Sequence, residues 1–249
     1  MKYRLLLLLA SLIWGCAFVA QVVGMESLGP FSFNAVRFLI GSASLIPVLF
    51  FLPSEEPPKA PPFPFWVAAL LAGAVLFGGA ALQQNGLLYT TASKASFITA
   101  LYILLVPIFG LLFGHELQVN HAIGAVAAII GIYLLSVTES FEINTGDLLV
   151  FLCAFFFTAH ILLLAYLVER FSPVQLACGQ FFVCGLLNLC FTGGEGLSFE
   201  SIRAGLWPLL YGGILSAGVA YTLQVVGQRH LPPTEASMIL SMEMIFGAL

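Results

Sequence analysis

Charge is what this sequence has least of. Only 8% of its 249 residues are Asp, Glu, Lys or Arg, while 60% are hydrophobic; soluble domains carry about 25% charged residues. Water cannot solvate such a surface, so lipid must be the solvent. Eight lysines and arginines are also too few to build a phosphate-binding face, which argues against nucleic acid as a partner. The composition therefore predicts an integral protein of a lipid bilayer.

Motifs for catalysis and metal binding are missing as well. The sequence has no HExxH, no GxSxG and no P-loop. Its cysteines lie inside apolar runs, with no CxxC pair and no histidine at ligand spacing, which is typical of small packing residues; they are Cys16, Cys153, Cys178, Cys184 and Cys190. We expect no metal site, no cofactor, and energy from an ion or substrate gradient rather than from a nucleotide.

Long apolar runs fill most of the chain. A helix needs about 20 mainly apolar residues to cross a bilayer. Nine runs approach or meet that length, at roughly 5–25, 31–52, 65–89, 95–114, 122–138, 148–168, 173–191, 206–226 and 236–249. The first run begins like a signal peptide but stays apolar through Met25, so it is interpreted as a retained first span. The expected fold class is an all-α polytopic membrane protein.

The chain repeats itself at an offset of 141 residues. LQQNGLLYTTASKAS at 82–96 is echoed by LQVVGQRHLPPTEAS at 223–237, so that Gln83 falls on Gln224. At an offset of 143, the start of the second run matches the start of the seventh, and Arg37 falls on Gln180. Five crossings in a first unit place a second unit upside down relative to it, as in secondary transporters. The pattern predicts two inverted five-helix repeats, over residues 1–138 and 146–249.

The second repeat ends before a partner for the run at 122–138 appears. We therefore expect a tenth span beyond Leu249. Orientation follows from the cations of the loops: with the N-terminus in the cytoplasm, five lie inside (Lys2, Arg4, Lys59, Arg170 and Arg229) and two outside (Lys94 and Arg203). The expected location is the cytoplasmic membrane. Both a monomer and a homodimer are consistent with the sequence.

Several stretches together resemble a known family. They are LIWGCAFVA in the first span, GPFSFNAVRF in the second, LQQNGLLYTTASKASFITALYILLVPIFG across the third and fourth, Glu116 at the next junction, and PPTEASMILSMEMIF in the ninth. This pattern is similar to the ten-helix, EamA-type members of the drug/metabolite transporter superfamily. The resemblance implies a cytoplasmic-membrane transporter that moves small metabolites, amino acids or drugs, often outward. Family members commonly carry a proline after the glutamate of the ninth span; here Met244 follows Glu243, which predicts a straighter helix.

Two charged residues lie well inside predicted spans, where charge is costly. Arg37 is about seven residues into the second span; it either faces a cavity, holding an anionic substrate group or a carboxylate, or extends to the outer interface. Glu243 is about eight residues into the ninth span. A carboxylate in a low dielectric prefers to be neutral, so Glu243 is a candidate for proton coupling, a partner for Arg37, or a hydrogen-bonded structural residue.

Five further residues are candidates for substrate binding: Trp14, Gln83, Tyr102, His160 and Gln224. Gln83 and Gln224 are repeat-related amides that either line one central cavity or join helices by hydrogen bonds. Tyr102 falls on Glu243 at the same offset of 141. Trp14 either stacks on substrate or packs, and His160 either binds or is a satisfied packing residue. None of these has a second ligand at metal spacing.

Two classes of function fit a membrane protein of this kind. The first is a secondary-active transporter, an exporter of small molecules working by alternating access between the repeats. The second is a membrane-embedded enzyme acting on lipid. Such an enzyme needs several acids, histidines, or a nucleophile with a base, and the intramembrane titratable residues here are few and scattered. The sequence therefore favours the transporter.

Overall fold

The protein is helical throughout the part that its computed structural model describes, which is residues 1–51, 57, 59–113, 123, 130 and 144–247. Six of these helices are long and apolar enough to cross a membrane, and Pro173–Leu189 is a shorter apolar helix. The prediction of an all-α polytopic membrane protein is confirmed. The fifth predicted span, 122–138, lies outside the described residues apart from two isolated positions.

Within the described residues the structure has twelve α-helices with defined bounds, and all but the short helix at 199–204 fall within or closely overlap the predicted runs. They are α1 Lys2–Gly24, α2 Pro30–Phe51, α3 Phe65–Gly86, α4 Ala92–Thr99, α5 Tyr102–Gly110, α6 Thr145–Leu167, α7 Pro173–Leu189, α8 Phe199–Ala204, α9 Leu206–Leu210, α10 Thr222–Gln228, α11 Pro233–Leu240 and α12 Glu243–Gly247. Proline stands at the start of α2, α7 and α11, where its missing N–H costs nothing.

The fourth and ninth spans are each broken into two helices at matching positions. Between α4 and α5, the N–H of Leu101 donates to the carbonyl of Ile98 at 3.1 Å, three residues back rather than four. Between α11 and α12, 141 residues later, the N–H of Met242 donates to the carbonyl of Ile239 at 3.2 Å. A tightened turn in mid-helix often marks a functional hinge. The expectation of a straighter ninth span is wrong, because this break needs no proline.

The eighth span contains a wide turn instead. Residues Tyr211–Tyr221 between α9 and α10 form a π-helix, a rare conformation that is frequent at functional sites. Its start is held to the first span, because the hydroxyl of Tyr211 donates to the carbonyl of Ile13 at 2.9 Å. The corresponding third span, α3, is a regular α-helix. The two halves of the chain therefore differ at this point.

The spans of the two halves interleave rather than form separate bundles. The second span packs against the seventh and eighth, and the third packs against the sixth and seventh. Small residues permit the close approach that membrane helices need. A Cβ placed on Gly73 would lie 2.8 Å from the backbone oxygen of Gln180 and 2.6 Å from the Cβ of Val183. The third and seventh spans therefore touch through their backbones.

We expect Gly73→Ala to destabilise the protein by about 1–2 kcal/mol, because the added methyl group forces two packed helices apart. The measurement is thermal unfolding of the purified protein in detergent, followed with a thiol-reactive dye that reports exposure of the buried Cys153 and Cys184. Gly193→Ala is the matched control, since a Cβ there meets nothing within 4 Å. Equal unfolding temperatures for the two variants would refute the close contact.

A loop of each half also forms hydrogen bonds with the other half. On one side, Lys59 binds Glu169 through its backbone N–H (2.9 Å to the carbonyl) and its ammonium (2.6 Å to the carboxylate). The Lys59 ammonium keeps the pKa of the Glu169 carboxyl below its usual range. On the other side, Glu195 accepts hydrogen bonds from the N–H groups of Phe31 (3.0 Å) and Ser32 (2.7 Å) at the start of α2. A carboxylate is favourable at a helix N-terminus, which stabilises the second of these contacts. Both contacts join the two halves of the chain.

Candidate functional site

A single cavity collects all of the residues that the sequence singled out. It is lined by Trp14, Arg37, Gln83, Tyr102, His160, Gln224 and Glu243, together with neighbours from the same spans. Its volume is about 40 Å³, room for roughly three water molecules by the usual allowance of 10–15 Å³ each. A metabolite does not fit this space, so any substrate requires the surrounding spans to separate.

The residues that follow the breaks in the fourth and ninth spans form one wall of the cavity. Tyr102 is the first residue of α5 and Glu243 the first of α12. The two positions are related by the offset of 141, and their side chains meet directly, since the Tyr102 hydroxyl donates to Oε1 of Glu243 at 3.0 Å. Both residues are buried, at 3% and 4% exposure. Contact between repeat-related positions is what a two-fold axis through the cavity would produce.

The paired glutamines lie on the third and eighth spans. Gln83 donates from Nε2 to the hydroxyl of Thr99 at 3.0 Å, and Thr99 is the last residue of α4. Gln224 has no such partner: its buried Oε1 makes no hydrogen bond within the described part of the chain. The residue at the position corresponding to Thr99 is Leu240, which cannot bond an amide. The amide of Gln83 therefore has a hydrogen-bond partner at this pair of positions, whereas the amide oxygen of Gln224 has none among the described residues.

Aromatic rings cover the side of the cavity formed by the first and eighth spans. The Trp14 indole packs edge-on against Tyr221, with ring centroids 4.6 Å apart, and its Nε1 donates to the carbonyl of Ser216 at 3.2 Å. Ser216 and Tyr221 both belong to the π-helical stretch. The unusual turn of the eighth span thus places a carbonyl and a ring where the indole can use both.

His160 lines the cavity from the sixth span and is 1% exposed. Its Nε2 forms a 2.9 Å hydrogen bond with Oε1 of Gln180 on the seventh span. Gln180 is the repeat counterpart of Arg37, and its own Nε2 has no partner among the described residues. His160 is therefore both hydrogen-bonded within the core and placed at the cavity.

Arg37 lies in the interior rather than at the outer interface, with 3% of its surface exposed. Its Nε donates to Oδ1 of Asn34 at 2.8 Å, and its guanidinium sits 4.7 Å from the ring centre of Phe38. The ion pairs among the described residues do not include Arg37 or Glu243. Arg37 and Glu243 therefore do not form an ion pair with each other in this structure.

Some residues that line the cavity were not predicted from the sequence. Gln21, Phe157 and Ser216 belong to this group. Phe157 corresponds to Trp14 at the offset of 143, so extending the match of the second and seventh spans back to the first and sixth would have identified it. Gln21 and Ser216 have no polar counterpart in the other half, and no pattern of the sequence marks them.

A polytopic bundle of broken and interleaved helices around one polar cavity is an architecture of membrane transporters. The comparison with known families agrees: the EamA-like transporter family matches residues 1–137 and 144–249. The chain belongs to this family of membrane transporters.

Relatives with the same designation cover nearly the whole chain. A protein of Archaeoglobus fulgidus named an uncharacterized transporter is 34% identical over 246 residues, which are 98% of this chain and 75% of the relative. The uncharacterized transporter YoaV of Bacillus subtilis is 22% identical over 255 residues, 96% of this chain and 84% of YoaV. A solved crystal structure superposes with a TM-score of 0.76 at 18% identity, covering 99% of this chain and 85% of the other. That similarity shows a shared fold.

Proposed function

We propose that this protein is a secondary-active exporter of small amphipathic metabolites, amino acids or drugs in the cytoplasmic membrane, with its N-terminus in the cytoplasm. Two inverted repeats, residues 1–138 and 146–249, rock around the central cavity and open it alternately to each side. Glu243 couples this cycle to protons. The substrate and ion site consists of seven residues that line the cavity: Trp14, Arg37, Gln83, Tyr102, His160, Gln224 and Glu243.

One observation carries the proposal: the cavity is built from matching positions of both halves. Tyr102 meets Glu243, and Gln83 lies on the same cavity as Gln224. A binding site near the midplane between repeats is the arrangement in which small rotations expose the same side chains to either side. A site built from one half alone would give no such exchange.

The breaks beside the cavity support a hinge there. Outward of the breaks, in the proposed orientation, α12 lies against the first and fourth spans. A Cβ on Gly15 would collide with the Cβ of Phe246, and one on Gly247 would lie 2.8 Å from the Cβ of Ser96. Inward of the breaks, α5 and α11 pack on one another and on α6. Opening to either side requires one of these two contacts to part while the other holds.

The test uses the purified protein, reconstituted into sealed vesicles. Labelled pools of amino acids and other small metabolites are loaded, and efflux is followed with and without a pH gradient. We expect at least one class of compound to cross faster than in protein-free vesicles and to respond to the gradient. Flux equal to that of protein-free vesicles for every pool would contradict transport, and flux indifferent to the gradient would contradict proton coupling.

A further inference from the structure

We propose that the substrate of this cavity is a monoanion, held by its carboxylate on Arg37 and presenting a hydrogen-bond donor to the amides of Gln21 and Gln224. This inference rests on the proposed function, because it names the chemical class that the same cavity accepts.

Arg37 is a buried cation with unused donors. A guanidinium carries five N–H groups, and of these only Nε–H is hydrogen-bonded to a described residue, Asn34. The Phe38 and Phe33 rings lie 4.7 Å and 5.7 Å from the guanidinium carbon, so they cover it without bonding its terminal nitrogens. No described carboxylate lies within ion-pair distance of it. A buried charge is stable only when it is paired, and none of the described residues supplies an anion to Arg37. We therefore assign the pairing anion to the ligand.

The architecture around Arg37 keeps that position free. Gly212 of the π-helical stretch faces the stem of Arg37, where a Cβ would lie 3.2 Å from Cδ. Glu243, the acidic residue among the described lining, is engaged with Tyr102 instead. The corresponding position of the second half holds neutral Gln180, so Arg37 is the one lysine or arginine in the described lining of the cavity and has no symmetric partner. One cation matches one negative charge on the ligand.

The hydrogen-bond donor of the ligand is inferred from the side-chain amides of Gln21 and Gln224. Oε1 of Gln21 and Oε1 of Gln224 are buried oxygens without a hydrogen bond in the described part of the protein, and both residues line the cavity at 4% and 2% exposure. A buried acceptor left without a donor costs about 1–3 kcal/mol. A ligand with a hydroxyl, amino or amide N–H would satisfy these atoms. The Trp14 and Phe157 rings border the same cavity and favour an apolar or aromatic body between the two polar ends.

The experiment measures binding without transport. The purified protein in detergent is titrated with 4-hydroxyphenylacetate, with 4-hydroxyphenylacetamide, which is the same molecule without the charge, and with phenylacetate, which lacks the hydroxyl donor. Binding is read as an increase in unfolding temperature. We expect the charged acid to bind at least roughly tenfold more tightly than the amide, the difference typical of one charged hydrogen bond, and more tightly than phenylacetate.

Two variants assign the preference to Arg37. Arg37→Gln should abolish the difference between acid and amide, and Arg37→Lys should keep part of it, since a charge remains but the paired donors are lost. Asn34→Ala leaves the charge of Arg37 but removes the acceptor that orients it, together with the hydrogen bond that Nδ2 of Asn34 donates to the carbonyl of Ala80 at 3.0 Å. A partial loss of the preference is expected from this variant, which serves as the test if Arg37→Gln does not fold. Equal binding of acid and amide by the natural protein, including no binding of either, would overturn the proposal, as would a preference that survives in Arg37→Gln.

The failure of this inference is separable from failure of the transport proposal. Vesicles that move neutral and anionic compounds equally well would refute the monoanion and leave the transporter standing. Acid-selective binding in detergent without any flux across vesicles would refute transport and leave the monoanion proposal standing.

Discussion

Replacing Glu243 with glutamine is expected to make transport independent of pH. Glutamine has the size of glutamate and still accepts a hydrogen bond from Tyr102, but it cannot take up or release a proton. Among the described residues that line the cavity, Glu243 is the acidic one. It also begins α12 directly after the break of the ninth span, so its charge bears on the proposed hinge.

The measurement is efflux from vesicles at several internal and external pH values. Glu235→Gln is the matched control, because Glu235 lies on the same span, pairs with Arg4, and is remote from the cavity. Tyr102→Phe is the informative second variant: it removes the donor to Glu243 but leaves the carboxyl, so a changed but surviving pH response is expected. A pH response in Glu243→Gln equal to that of the natural protein would show that protons act elsewhere or not at all.

Removing the carboxylate of Asp147 is expected to cause the largest loss of stability of any single change outside the cavity. Asp147 lies at the start of α6 and is 5% exposed. It accepts hydrogen bonds from the hydroxyl of Thr90 at 2.6 Å, the ammonium of Lys94 at 2.8 Å and the N–H of Asn144 at 3.1 Å. It therefore joins the turn after the third span to the sixth span, across the two halves of the chain.

Asp147→Ala removes all three bonds at once, and breaking a buried charged pair costs on the order of 3 kcal/mol. Asp147→Asn keeps the size and one acceptor oxygen, which can still accept from the N–H of Asn144 in the place of Oδ2, so a smaller loss is expected. Unfolding in detergent measures both. Glu200→Ala is the control, because Glu200 lies in the first turn of the short helix α8 and forms no ion pair with the described residues. It should change stability by less than about 0.5 kcal/mol. Equal losses for Asp147→Ala and Glu200→Ala would contradict the role given to Asp147.

Hydrophobic runs predicted the spans well because length and apolarity are what a bilayer demands. The first predicted run, 5–25, became Lys2–Gly24, and the run at 173–191 became Pro173–Leu189. The breaks at Ala100–Leu101 and Ser241–Met242 were not predicted. Neither site has a proline or glycine, and the proline rule pointed toward an unbroken ninth span. Packing against other spans, which no local pattern records, decides where these helices tighten.

The candidate site was predictable as far as the internal repeat could be traced. The offset of 141 relates Gln83 to Gln224 and Tyr102 to Glu243, and all four line the cavity. What the repeat could not supply is the asymmetry. Arg37 has a neutral counterpart and the π-helix is confined to the eighth span within the described chain, so the unpaired charge and the aromatic wall depend on features present in one half only.

Side-specific labelling of two repeat-related residues tests the inverted architecture most directly. Tyr89 and His230 are 141 residues apart, each in the turn before a broken span and each exposed. Single cysteines at these positions, in a background with the five natural cysteines replaced, are treated with a membrane-impermeant thiol reagent in intact cells and in inverted vesicles. Inverted repeats predict that Tyr89→Cys reacts from outside the cell and His230→Cys from the cytoplasm. Labelling of both from the same side would contradict the two-repeat transporter.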